Sequence, residues 1–90
     1  MAMTEYTKDA GAVLDYAWNW ATWLDTDEIA SHTVTVPTGL TLDSSTNTAT
    51  AVTAWLSGGT EGSDYTVACE IVTDAGRTDE RSVIIKVRQR

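Results

Sequence analysis

The chain has 90 residues, of which 42% are hydrophobic, and carries a formal net charge of −7 with a pI near 4.3. A length of this order supports one small, well-filled core, the hydrophobic content excludes a disordered chain, and the charge excludes the cationic footprint of a nucleic-acid binder. A single cysteine excludes an intramolecular disulfide, and no apolar run approaches membrane-spanning length.

In chain order, Thr4–Lys8 predicts a short first edge strand, and Asp9-Ala10-Gly11 a turn. From Ala12 the chain reads AVLDYAWNW, with Leu14, Tyr16, Trp18 and Trp20 on one parity and Val13, Asp15, Ala17 and Asn19 on the other. Leu14, Trp18 and Ala21 also fit a helical spacing, but the alternation is cleaner and aromatic residues favour strands. Asn19–Leu24 breaks the alternation. There Trp20 and Trp23, three apart, predict one side of a short helical turn. Asp25-Thr26-Asp27-Glu28 follows as an acidic loop.

Ile29–Val36 predicts the next strand, with Val34 and Val36 inward and Thr33 and Thr35 outward, and Pro37-Thr38-Gly39 ends it because proline cannot donate to a ladder. Leu40-Thr41-Leu42 reads as a short edge strand, and Asp43–Asn47 as a polar connection without packing residues. Thr48–Leu56 reads as a strand with Val52, Ala54 and Leu56 on one face and Trp55 on the other. Ser57–Ser63 is a glycine-bearing loop.

The strongest local signal lies between Gly58 and Val87. Tyr65, Val67, Cys69 and Ile71 alternate with Thr66, Ala68 and Glu70. After a turn at Asp74-Ala75-Gly76-Arg77, the residues Val83, Ile85 and Val87 alternate with polar ones. Period-two alternation on both sides of a glycine-bearing turn predicts a hairpin, with Gly76 at a position of positive φ. Six or seven short strands with at most one helical turn predict an all-β fold, an antiparallel β-sandwich spanning residues 1–90 as one domain. Tyr65, near the start of the penultimate strand, sits where immunoglobulin-like folds place a corner tyrosine. The cysteines of antibody domains are absent: Val67 stands two residues after that tyrosine, and no earlier partner exists.

Side-chain chemistry points away from catalysis. Cys69 lies on the inward row, and a nucleophilic cysteine needs a nearby base, for which His32 is the only histidine. Three carboxylates in Asp25–Glu28 lack calcium-loop spacing and the glycine such a loop requires, so a solvated turn is expected, with no metal and no cofactor. Glu70 and Glu80 face outward by parity. The aromatic set of four Trp and three Tyr with no Phe suits contacts that meet both protein and water. Trp20 and Trp23 are the expected partner-facing pair, and one of Trp18 and Trp55 is expected to fill the core. Five of the six basic residues fall in the last fourteen positions, making Arg88 and Arg90 a second candidate contact with acidic neighbours. The opening MAMTEYTKD has no apolar h-region, so assembly in a cytoplasm is expected.

Four segments carry a resemblance: KDAGAVLDYAWNWATWL (Lys8–Leu24), VPTGLT (Val36–Thr41), AWLSGGTEGSDYTV (Ala54–Val67) and IVTDAGRTDERSVIIKV (Ile71–Val87). Together they resemble a family of small structural proteins of tailed bacteriophages and prophages, often described as fibre–tail adaptors. Family members commonly have proline after the Lys-Asp, where this chain has Ala10, a departure confined to a turn. The resemblance implies a non-catalytic virion component, assembled in the bacterial host cytoplasm, that binds tail, neck, fibre or major capsid proteins. It also implies a homo-oligomer or many copies per particle. Three placements stay open at this point: a neck or tail adaptor, a decoration protein clamping the head lattice, and a carbohydrate-binding module using Trp20, Trp23, Asp25 and Asp27.

Overall fold

Side chains that alternate in the sequence alternate in burial along nearly every strand of the computed structural model, which describes residues 4–88. In order these are β1 (Thr4–Lys8), β2 (Leu14–Asn19), β3 (Ile29–Thr35), β4 (Leu40–Asn47), β5 (Ala51–Gly58), β6 (Asp64–Thr73) and β7 (Thr78–Val87). One helical turn, α1 (Ala21–Leu24), lies between β2 and β3. The strands form two sheets, β1-β7-β6-β3 and β2-β5-β4, and the fold is an all-β sandwich. The orders β2-β5-β4 and β7-β6-β3 reproduce the B-E-D and G-F-C orders of the immunoglobulin plan. The first strand departs from that plan by lying on β7.

The other strand pairings are antiparallel, as expected, but β1 runs parallel to β7, from Thr4 opposite Val83 to Lys8 opposite Val87. Strands joined by a tight turn must be antiparallel, but β1 and β7 are joined by nearly the whole chain, so no hairpin constrains them.

β6 and β7 pair in unbroken register from Asp64 opposite Lys86 to Val72 opposite Thr78. Thr73 N–H donates to Arg77 O at 2.8 Å and Gly76 N–H to Thr73 O at 2.9 Å. Gly76 has φ of +89°, the left-handed residue of a short hairpin loop. Inward, Val67, Cys69, Ile71, Val83, Ile85 and Val87 are buried against Val52, Ala54 and Leu56 of the opposite sheet. Each fully buried aliphatic side chain there contributes about 1.5–3 kcal/mol.

At the entry to β6, the Tyr65 hydroxyl accepts the Thr60 N–H at 2.8 Å, five residues upstream. This bond and the packed ring hold the corner, and its hydroxyl contributes about 1 kcal/mol net. Gly59 makes room for the corner. Its φ is +97°, and a Cβ there would stand 2.7 Å from a Val87 methyl and 3.4 Å from the Tyr65 ring.

The polar stretch Asp43–Asn47, expected as a connection, is strand: β4 pairs with β5 as far as Asn47 opposite Val52. An irregularity between Leu42 and Ser44 shifts the inward parity, so Ser45 and Asn47 point inward after Leu40 and Leu42. Their polarity is met across the sandwich by His32 of β3. The His32 Nδ1 lies 2.7 Å from Asn47 Oδ1 and its Nε2 lies 2.9 Å from Ser45 Oγ. Asn47 Nδ2–H donates to Thr48 O, which orients the amide and leaves Oδ1 to accept from Nδ1–H. In the neutral ring with Nδ1–H, Nε2 accepts from the Ser45 hydroxyl.

The opposite side of the sandwich is closed differently. Tyr6 and Tyr16 meet with ring centroids 4.9 Å apart. Lys8 is wholly buried and donates to Asp9 O at 2.9 Å and Gly58 O at 2.8 Å, tying β1 to the end of β5 in the other sheet. Burial lowers its pKa from the ordinary lysine value, with Asp9 and Asp43 opposing.

Candidate interaction surface

The four tryptophans occupy four different environments. Trp18, on the inward row of β2, fills the core, and Trp20 continues that row with no exposed surface at all. This corrects the expectation that Trp20 faces a partner. Its backbone N–H donates to Thr50 O at 2.9 Å, which carries the inward parity of β2 one residue past the strand. The indole Nε1–H donates to Asp79 Oδ2 at 2.9 Å, and the Arg81 guanidinium lies 5.0 Å from the ring centroid. Arg81 also approaches Asp79 at 3.6 Å and donates to Asn19 O at 2.9 Å.

Trp23, on α1, is half-buried, and the Arg77 guanidinium lies over its ring at 4.2 Å. Arg77 donates to Asp27 Oδ2 at 3.1 Å and to Leu24 O at 3.1 Å, so it joins the hairpin loop to the helical turn. Asp27 in turn accepts the N–H groups of Glu28 at 2.9 Å and Ala75 at 3.2 Å. The Thr73 hydroxyl, ahead of the Glu28 amide and Arg77, holds the Asp27 carboxyl below its ordinary pKa, against an opposing effect of burial. A sugar-stacking platform on Trp20 and Trp23 is therefore not formed: one ring is sealed inside, and an arginine lies across the other.

The remaining predicted residues are also accounted for. Arg88 is tied to its own chain, donating to Val87 O at 2.8 Å and to Asp64 Oδ1 at 2.9 Å. Arg90 lies outside the described residues. Tyr65 and Gly76 occupy the corner and loop positions described above. Cys69 is buried, and burial, followed by the nearby charge of Glu80, pushes its thiol up to about 12, which removes the thiolate that nucleophilic chemistry needs. His32 is engaged by Ser45 and Asn47. Among the described residues, no three His, Cys, Asp or Glu side chains converge on a metal-sized site, and no helix is long and apolar enough to cross a membrane.

The exposed aromatic is Trp55, with 42% of its surface accessible, at the centre of the outer face of the three-stranded sheet. Asp15 stands directly opposite it on β2, and Ser44 opposite it on β4. Cross-strand partners of this kind bring Cβ atoms to about 4.5–5.5 Å, so the carboxylate and the indole share one patch. Ser57, two residues along β5, donates to Asp43 Oδ1 at 3.0 Å. Ala17 and Thr53, paired across β2 and β5 two residues away, put smaller side chains on the same face. Trp55 had a legible signal in the sequence, its parity opposite to Val52, Ala54 and Leu56, but nothing there marked the face as a site.

A family model described as Podophage GP4 fiber-tail adaptor protein gp77 matches residues 8–86, from the end of β1 almost to the end of β7. No curated protein matches the chain.

Proposed function

Because the chain belongs to the podophage fibre–tail adaptor family, we propose that it is a non-enzymatic structural component of a tailed phage particle, present in many copies, that joins fibre and tail through protein–protein contacts. The observation that carries this reading is the family match across residues 8–86, which takes in all or part of every strand of both sheets. The geometry supports it. The two clusters with the sharpest chemistry, His32–Ser45–Asn47 and Trp23–Arg77–Asp27, bind parts of the fold to one another, while a large aromatic is presented outward on a rigid sheet. A side chain held on a strand in a central sheet position costs little entropy to bury against a partner.

The experiment is fractionation of phage particles made with and without the chain. The protein is expected in tailed particles and absent from tailless heads, and particles made without it are expected to assemble heads but lose their fibres and infectivity. Recovery of the protein on empty, tailless heads would replace this reading with head decoration.

A further inference from the structure

Two of the tryptophans share one motif: an indole, an arginine guanidinium near its ring, and an aspartate holding that arginine. Trp23 has Arg77 at 4.2 Å and Asp27; Trp20 has Arg81 at 5.0 Å and Asp79. Trp55 has the indole and the aspartate, Asp15, but none of the described arginines lies over it. We propose that the Trp55–Asp15 face of the three-stranded sheet docks a partner protein through an arginine, which stacks on the Trp55 ring and pairs with the Asp15 carboxylate.

Charge argues for the same occupant. The described cations are all engaged within the chain: Arg77 with Asp27, Arg81 with Asp79, Lys86 with Glu5, Arg88 with Asp64, and Lys8 with two backbone carbonyls. The Trp55 face carries Asp15, with Asp43 beside it, and Asp15 has no ion-pair partner among the described residues. An indole beside an unpaired carboxylate, on a chain of net charge −7, is complementary to a guanidinium, whose planar fork stacks on aromatic faces and matches carboxylate geometry. A neutral sugar can stack on the ring and donate hydroxyls to the carboxylate, but it leaves the negative charge unneutralised, which a guanidinium does not. The proposal rests on the adaptor reading and names the chemistry of the surface that the adaptor meets.

The test has two arms. Isotope-labelled protein is titrated with N-acetylarginine amide, its neutral isostere N-acetylcitrulline amide, and cellotriose. The Trp55 indole N–H resonance, assigned by its loss in Trp55→Phe, is expected to shift with the arginine amide alone. Asp15→Asn is expected to weaken that binding about fivefold. An equal shift with the citrulline amide, or a larger one with the sugar, overturns the arginine assignment. In the second arm, purified particles and free protein are exposed to hydroxyl radicals, and Trp55 is expected to oxidise about fivefold or more slowly in the particle. Trp55 equally reactive in both overturns the docking face while leaving the adaptor reading intact. Absence of the chain from the particles brings down the adaptor reading and this proposal with it.

Discussion

The helical-turn end and the outer face of the three-stranded sheet contain the same ingredients, tryptophan beside aspartate, and use them differently. At the first, Arg77 and Arg81 from β7 and its loop complete each tryptophan–aspartate pair, and the result is a joint between α1, the hairpin loop and β7. On the second, Trp55 and Asp15 face outward with no such arginine. An aromatic-rich segment is thus not an interface by composition alone. Trp20 and Trp23 differ from Trp55 in that each has an arginine of the same chain beside its ring.

Mutation can break that comparison, and the largest effect should come from its buried side. Trp20→Ala is expected to cost about 3–5 kcal/mol by urea denaturation, enough to threaten a domain of this size, whereas Trp55→Ala should stay within about 0.5 kcal/mol. Equal losses at both sites would erase the distinction. Arg77→Ala is expected to cost about 1–2 kcal/mol, since it removes the stack on Trp23 and the bond that caps α1, and to make Trp23 emission redder. Arg77→Lys keeps the charge but not the planar stack and should recover less than half of the loss.

Acid sharpens the same comparison. The pKa of Asp27 is depressed in the folded protein, so its contribution is present above the ordinary carboxylate value and is lost as pH falls through the folded value. Asp27→Asn should therefore lower stability near about pH 7 and flatten the loss seen on acidification toward about pH 2, as read from denaturation midpoints. The smallest effect is optical. Caesium should quench Trp55 more than iodide does, because Asp15 and Asp43 repel the anion, and Trp55→Phe should remove that preference.

The β6–β7 hairpin was the most legible part of the fold, because inward residues from Tyr65 to Val87 alternate strictly and Gly76 marks the loop. The outward parity of Trp55 could also be read, although its role as the one open tryptophan required knowing where Arg77 and Arg81 fold back. The first part of β4, Leu40–Leu42, is legible as a strand, but its Asp43–Asn47 part is hidden because Asp, Ser, Thr and Asn ordinarily compete with backbone ladders. Here those side chains are occupied elsewhere, Asp43 by Ser57 and Ser45 and Asn47 by His32, which frees the backbone to pair. Trp20 carries conflicting signals: its parity points inward, while the break into α1 suggests a surface turn. The backbone bond to Thr50 decides in favour of the strand. The Arg77 and Arg81 stacks join residues more than fifty positions apart, and local pattern carries no information about such pairings.

The parallel seating of β1 on β7 has a consequence for how the molecule is made. β1 leaves the ribosome before the other six strands, yet its hydrogen-bond partner, running from Val83 to Val87, is the last strand synthesised. Its closure entropy is met only after the rest of the sheet exists, so β1 waits while β2 through β7 assemble around it. Until it docks, Lys8 is hydrated and one edge of β7 stands open, and a neighbouring nascent chain could fill it. Docking of β1, with desolvation of Lys8, is therefore the step at which the open edge of β7 is most exposed to strand exchange.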